Sequence, residues 1–180
     1  GLYPSMMVAF NTSHETLVRK GEERDDDIIG DRCRFRRNPV GMLPKCVMEL
    51  DELRDKYKRL RAEAGETHGK GSKEYNKWDD AQKTVKRLRA TFYGLCAFNG
   101  FAWANIDIAR TITYGGRKSL MLIKKECEKM GYEVIYGHTD SIFVKLGDEK
   151  TNEECAKLSV ELGERLTEIC QADLKSTAVE

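Results

Sequence analysis

The sequence predicts an α+β fold in which a hairpin of two long helices interrupts a mixed chain. Three observations carry this reading. Apolar residues recur at three- and four-residue steps in two consecutive stretches separated by a glycine-rich break. Two β-branched and aromatic runs, "YEVIYG" and "SIFVKLG", flank a tight turn. Further helical patterns, with recognisable start and stop signals, lie on either side of those runs.

The bulk properties bound what such a fold can do. At 180 residues the chain can bury the core of one or two domains. Charged residues make up 34%, yet the net charge is only +1. There is no global basic field, so affinity for phosphate or nucleic acid must come from local clusters. No apolar run reaches the roughly 18 residues of a membrane span. The opening "GLYPSMMVAF" lacks the basic leader and cleavage site of a targeting signal. An intracellular protein, cytoplasmic or nucleoid-associated, is therefore expected, with no membrane partner. The six cysteines show no metal-site spacing and four fall on apolar faces, so reduced core thiols are expected.

Taken in order, "LYPSMMVAF" offers Pro4 in a first helical turn followed by apolar residues. Gly21 to Asp31 is polar and acidic and reads as a loop, and "RCRFRRNPVG" alternates briefly before a Pro-Gly break. From Lys45, Leu50, Leu53, Tyr57 and Leu60 form a helical seam, which "AGETHGKGS" breaks with its three glycines. Trp78, Ala81, Val85, Leu88 and Phe92 form the seam of the second helix, giving an antiparallel hairpin. A longer helix is expected from about Asn105 to Lys129, stopped by Gly131. Thr151-Asn152-Glu153-Glu154 is a capping box opening a last helix with Cys155, Leu158, Leu162, Leu166 and Ile169 inward.

Two places could carry chemistry. Arg54, Lys58 and Arg61 share a face of the first hairpin helix, and Lys83, Lys86, Arg87 and Arg89 crowd the second. Like charges four apart cost a helix about 0.2–0.5 kcal/mol per pair, which an anion would relieve. A solvated basic face and a phosphate-binding face both fit that pattern. The second place is the turn in "YGHTDS", where His138 and Asp140 project from one tip. It reads equally as an ordinary hairpin, a metal site with one ligand exchanged, or a site that has lost its chemistry.

"GLYPS", Gln82-x3-Lys86-x6-Tyr93-Gly94 and "YGHTDS", in this order, resemble the three polymerase motifs of the family B (alpha-like, archaeal and viral type) DNA polymerases. Their usual forms are D-x2-SLYPS, K-x3-NSxYG and YGDTDS. "NTSHET" resembles that family's NxSPET, and "LDELRDKYK" its fingers segment. The resemblance implies a palm, an antiparallel sheet with packed helices, into which a two-helix fingers hairpin is inserted. Residues 1–45 and 95–180 would be palm and residues 46–94 fingers.

The resemblance also implies roles. Tyr3 would floor the sugar pocket, with the backbone of Leu2 beside it on the triphosphate. Arg54 and Lys58 would grip phosphates, and Lys86 would contact the triphosphate and protonate departing pyrophosphate. Tyr93, Gly94 and Tyr136 would meet the nascent base pair and the DNA. Asp140, with His138 at the neighbouring ligand position, would hold Mg2+, the family's two-metal cofactor. The substrates would be primer–template DNA and deoxynucleoside triphosphates, joined by metal-dependent phosphoryl transfer.

The departures are specific. Ala90 and Thr91 stand where the family has Asn-Ser, and His138 stands where it has the first aspartate of the third motif. The first-motif aspartate would fall three residues before Gly1. Exonuclease, thumb and KKRY-type segments are not in the sequence, so the rest of a parent polymerase is an implied partner. Neutral imidazole brings no charge and suits softer metals than Mg2+. The chain alone is therefore expected to be inactive. The alternative is a degenerate, non-catalytic module that binds DNA or a partner polymerase.

Overall fold

The computed structural model describes residues 1–147 and 150–176. In chain order these form α1 (Leu2–Ala9), β1 (Ile28–Ile29), β2 (Arg34–Phe35), α2 (Met42–His68), α3 (Lys73–Ala97), α4 (Ile106–Lys129), β3 (Glu133–Gly137), β4 (Ile142–Lys145) and α5 (Asn152–Ser176). Among the described residues no helix is long and apolar enough to cross a membrane.

The core joins α1, the lower ends of α2 and α3, and the first half of α4. Met6, Met7, Phe10, Leu43, Val47, Cys96, Ile108 and Ile112 interlock there, with Ile28 and Phe35 entering from β1 and β2. α1 approaches α4 closely because two consecutive glycines interrupt the side-chain surface of α4. A Cβ on Gly115 would lie 2.5 Å from Cε2 of Phe10, and one on Gly116 would lie 3.2 Å from Cδ2 of Leu2. At Gly115 the missing side chain leaves room for the Phe10 ring and the Met6 sulfur.

The expected antiparallel sheet is present as two separate two-stranded pieces, β1–β2 and β3–β4. α4 keeps them apart. The β1–β2 loop rests on its first half, where Gly30 abuts Thr111. β3 faces Arg117, Leu120, Met121 and Lys124 across a cavity. Thr111 and Leu120 are about 14 Å apart along a helix axis. A two-stranded ribbon is marginal alone, and β3–β4 leans on α4 through half-buried Val134, Ile142 and Val144.

The helical hairpin forms as expected but is longer than the seams imply. Its two helices run from Met42 to His68 and from Lys73 to Ala97. The predicted break at Ala64–His68 is helical instead, because Gly65 packs against the ring of Tyr75. Packing offsets the ~1 kcal/mol that glycine costs a helix. The chain turns only at residues 69–72, where Gly69 and Gly71 take φ of +85° and +91°. Ser72 caps α3 by accepting from Tyr75 N–H.

One seam residue is corrected. Leu88 is 50% exposed, and Arg89 is buried in its place at 7% exposure. The reason is polar: Arg89 faces Asp51 of α2, with Nε 2.8 Å from Oδ1. Farther out, Arg61 pairs with Asp79 at 2.9 Å, Asp79 also takes Lys83, and Tyr57 stacks on Trp78. Lys83 and Arg61 together hold the Asp79 carboxyl far below the usual range. Of the four cations crowded on α3, Lys83 and Arg89 are thus paired, with Asp79 and Asp51.

"NTSHET" has a structural task. Asn11, at φ +48°, donates to the carbonyls of Arg36 and Pro39 and accepts from Gly41 N–H. Glu15 accepts from Met42 N–H and Ser13 from Leu43 N–H, so the motif satisfies the first donors of α2. Gly41 is required by contact, since a Cβ there would lie 2.5 Å from that of Ser13.

The later signals hold. Asn105 caps α4 by accepting from Asp107 and Ile108 N–H, and Gly131 follows its end at φ +83°. Thr151 and Glu154 exchange the hydrogen bonds of a capping box. Leu166 of α5 is buried, and Lys118 of α4 pairs with Asp173 at 3.3 Å. No cysteine is paired, and burial pushes the thiols of Cys33, Cys96, Cys127 and Cys170 upward.

Candidate functional site

Three segments distant in sequence meet over α4. The first turn of α1 carries Leu2 and Tyr3, and the double glycine lets both settle on Gly116. The last turns of α3 bring Tyr93 to Tyr3, ring centroids 4.5 Å apart and tilted 41°. The β3–β4 turn closes the third side. A cavity of about 270 Å³ is lined by Tyr3, Thr113, Gly116, Arg117, Leu120 and Thr139 of that turn. Segments of the first, second and third motifs therefore border one region.

Its electrostatics favour an anion. α1 has no acidic residue in its first turn, so no side chain of its own offsets its positive end. Arg89 lies one helical turn before Tyr93 on α3, and its partner Asp51 lies one turn before Arg54 on α2, so these charges sit on the hairpin turns that pack against α1. Arg54, Lys86 and Arg89 are cations of these hairpin turns, and Asp51 is a carboxylate among them. Backbone N–H groups at a helix start, beside guanidinium and ammonium groups, form a ready phosphate cradle.

Not every expected residue joins this cluster. Lys58, one turn beyond Arg54, is tied to Asp55 at 2.8 Å on the exposed side of α2. Gly94 sits in α3 with nothing within 4 Å of where its Cβ would be, so no internal packing requires glycine there. Tyr136 is 56% exposed and lies 5.8 Å from the ring of Phe143. Gln82 of the second motif is buried and donates to Asp79, which gives it a place in the hairpin interface.

The turn itself is a plain one. Gly137 ends β3 opposite Ile142 and is not among the positive-φ residues, so the turn itself falls on residues 138–141. The turn is closed by His138 N–H donating to Ser141 O at 2.8 Å. His138 and Asp140 are both exposed. Among the described residues no group of three His, Cys, Asp or Glu side chains could hold a metal ion. One carboxylate and one imidazole do not fit a pair of Mg2+ ions, which require hard oxygen ligands in near-octahedral array.

Sequence reasoning missed Gly115, Gly116 and Asp51, and read Arg89 as one of a row of surface cations rather than as a buried partner. The double glycine inside a regular helical pattern was the available signal for a close crossing. Nothing in the local pattern marks Asp51 and Arg89 as partners, because they lie on different helices.

Comparison with known proteins gives the family. The family model described as DNA polymerase family B matches residues 1–177. DNA polymerase 2 of Aeropyrum pernix is 32% identical over 166 residues, covering 90% of this chain and 20% of that protein. A DNA polymerase of Archaeoglobus fulgidus is 34% identical, covering 92% of this chain and 20% of its own length. The solved family B DNA polymerase of Pyrobaculum calidifontis superposes with a TM-score of 0.71 at 30% identity, over 91% of this chain and 21% of that one. The chain thus spans about a fifth of the length of the relatives it matches.

Proposed function

The chain belongs to DNA polymerase family B, and on that premise we propose that it is the palm-and-fingers portion of a DNA-directed DNA polymerase. In the complete protein it would help add deoxynucleotides to a primer end on a DNA template. The observation that carries this reading is the meeting of Tyr3 and Tyr93 at the start of α1, with Arg54 and Lys86 on the two hairpin helices that pack against α1. A triphosphate would lie on the α1 start and the cations, leaving the sugar over Tyr3. The open surface at Gly94 would let the nascent base pair approach the backbone of α3 closely. Lys86, exposed and next to the phosphates, would be placed to protonate departing pyrophosphate.

No catalytic step is assigned to the turn. Its donors do not fit the family's metal pair, which supports a binding role for this chain and argues against nucleotide addition by it alone. The same observation favours a second reading, a non-catalytic module that binds DNA or a partner polymerase. Calorimetric titration with a deoxynucleoside triphosphate tests both. The first reading expects affinity that falls steeply with salt and falls again in Arg54→Ala and Lys86→Ala. Triphosphate binding unaffected by either substitution would remove it.

A further inference from the structure

The base of the helical hairpin holds an ion pair that no motif accounts for. The Arg89 side chain is only 8% exposed, and its Nε lies 2.8 Å from Oδ1 of Asp51. The N–H does not point at that oxygen, so the buried Nε has no hydrogen-bond acceptor. Arg54, three residues beyond Asp51 on α2, also buries an Nε without an acceptor. Arg89 lies one turn before Tyr93, whose ring meets Tyr3 in the first turn of α1, and Arg54 lies one turn beyond Asp51 on the facing helix. Buried guanidinium donors are rarely left unmet, and their forked geometry matches phosphate oxygens as well as carboxylates.

We propose that Asp51 occupies the place of a phosphate oxygen, and that Arg89 exchanges it for the triphosphate when nucleotide binds. Arg89 is then a phosphate-positioning residue alongside Arg54, and Asp51 is a built-in competitor that limits affinity for the polyphosphate. This deepens the nucleotide-binding reading and rests on it. The exchange needs little movement, since Asp51 is 38% exposed at its side chain and can turn to solvent while Arg89 stays in place. It also accounts for a misaligned pair at short range: the guanidinium is held by packing between two helices, with its donors not aimed at the carboxylate.

The test is a double-mutant cycle on the full chain, with inorganic tripolyphosphate and dATP as probes and calorimetry at low salt as the readout. Asp51→Asn should tighten both probes about three- to tenfold, the loss of one competing charge near a partly exposed site. Arg89→Gln should weaken them by a similar factor, and Arg89→Lys should restore part of the loss. In the double variant the Asp51→Asn gain should disappear. A merely structural pair predicts that Asp51→Asn lowers the melting temperature with no gain in affinity, and that result overturns the proposal. Should Arg89→Gln unfold, the Asp51→Asn arm decides alone. Failure of this inference leaves Arg54→Ala and Lys86→Ala still weakening the probes, whereas failure of the underlying reading leaves no variant with any effect.

Discussion

Replacing Gly94 by Ala should stabilise the fold and weaken its hold on primer–template DNA. Gly94 lies inside α3, and a Cβ there would meet nothing within 4 Å. The substitution therefore gains helix propensity without crowding, about 1 kcal/mol. In a chain of 180 residues that corresponds to roughly 2–4 °C in melting temperature. Gly163→Ala in α5, equally open, calibrates the gain and should leave binding unchanged. Gly115→Ala should do the reverse, because its Cβ would lie 2.5 Å from Phe10 Cε2 and 2.9 Å from Met6 Sδ. Overpacking of that kind costs about 1–3 kcal/mol and outweighs the propensity gain. Circular dichroism melting reads the stabilities, and anisotropy of a labelled primer–template at low salt reads the binding. If Gly94 faces the nascent base pair, the added methyl should weaken binding roughly fivefold or more, the equivalent of about 1 kcal/mol of overpacking. A stabilised Gly94→Ala that binds DNA as well as the parent would refute the placement. A destabilised one would refute the reading of the packing.

Glu15→Ala removes the acceptor for Met42 N–H at the start of α2 and should cost about 1 kcal/mol at pH 7, measured by thermal unfolding. Burial alone would raise the Glu15 pKa, but hydrogen bonds from Ser13 and Met42 outweigh it and the carboxyl sits below its ordinary value. The contribution is thus complete above an unfolded pKa of about 4.3 and is lost as pH falls through the folded value, so the gap between variant and parent should close in acid. Tyr3→Ala should narrow the preference for deoxy- over ribonucleoside triphosphates by about tenfold, within the 1–3 kcal/mol that overpacking costs; equal preference in variant and parent would remove the sugar-floor role. Primer extension by the chain with Mg2+ should be undetectable, and His138→Asp alone should not restore it, since two carboxylates at one turn remain too few ligands. Robust extension by the unaltered chain would show that His138 is a working ligand.

What was legible followed from periodicity and local chemistry. α4 and α5 were readable because Asn105 and the Thr151–Glu154 box are local signals, each satisfied within a few residues. The β3–β4 hairpin was readable because two β-branched runs flank a short turn. The ends of the helical hairpin were not, because Gly65 breaks a pattern that the Tyr75 ring repairs from the other helix. Leu88 was misplaced for the same kind of reason: hydrophobicity favoured it for the seam, but Asp51 drew Arg89 inward. The task of "NTSHET" was hidden in sequence, since Ser13 and Glu15 cap a helix that begins about thirty residues later. The residues of the candidate site were individually visible as motif positions. Their convergence depends on Gly115 and Gly116, whose effect exists only once α1 crosses α4.

The central claim is that Lys86 and the start of α1 hold the triphosphate of a nucleotide. Lysine acetylation followed by mass spectrometry, with and without a deoxynucleoside triphosphate, tests it most directly. Lys86 is exposed, so in the free chain it should be modified readily. The account predicts that millimolar nucleotide slows acetylation of Lys86 severalfold, that added salt reverses the protection, and that exposed Lys157 on α5 is unaffected. Modification of Lys86 at the same rate with and without nucleotide, or equal protection of Lys86 and Lys157, would contradict it.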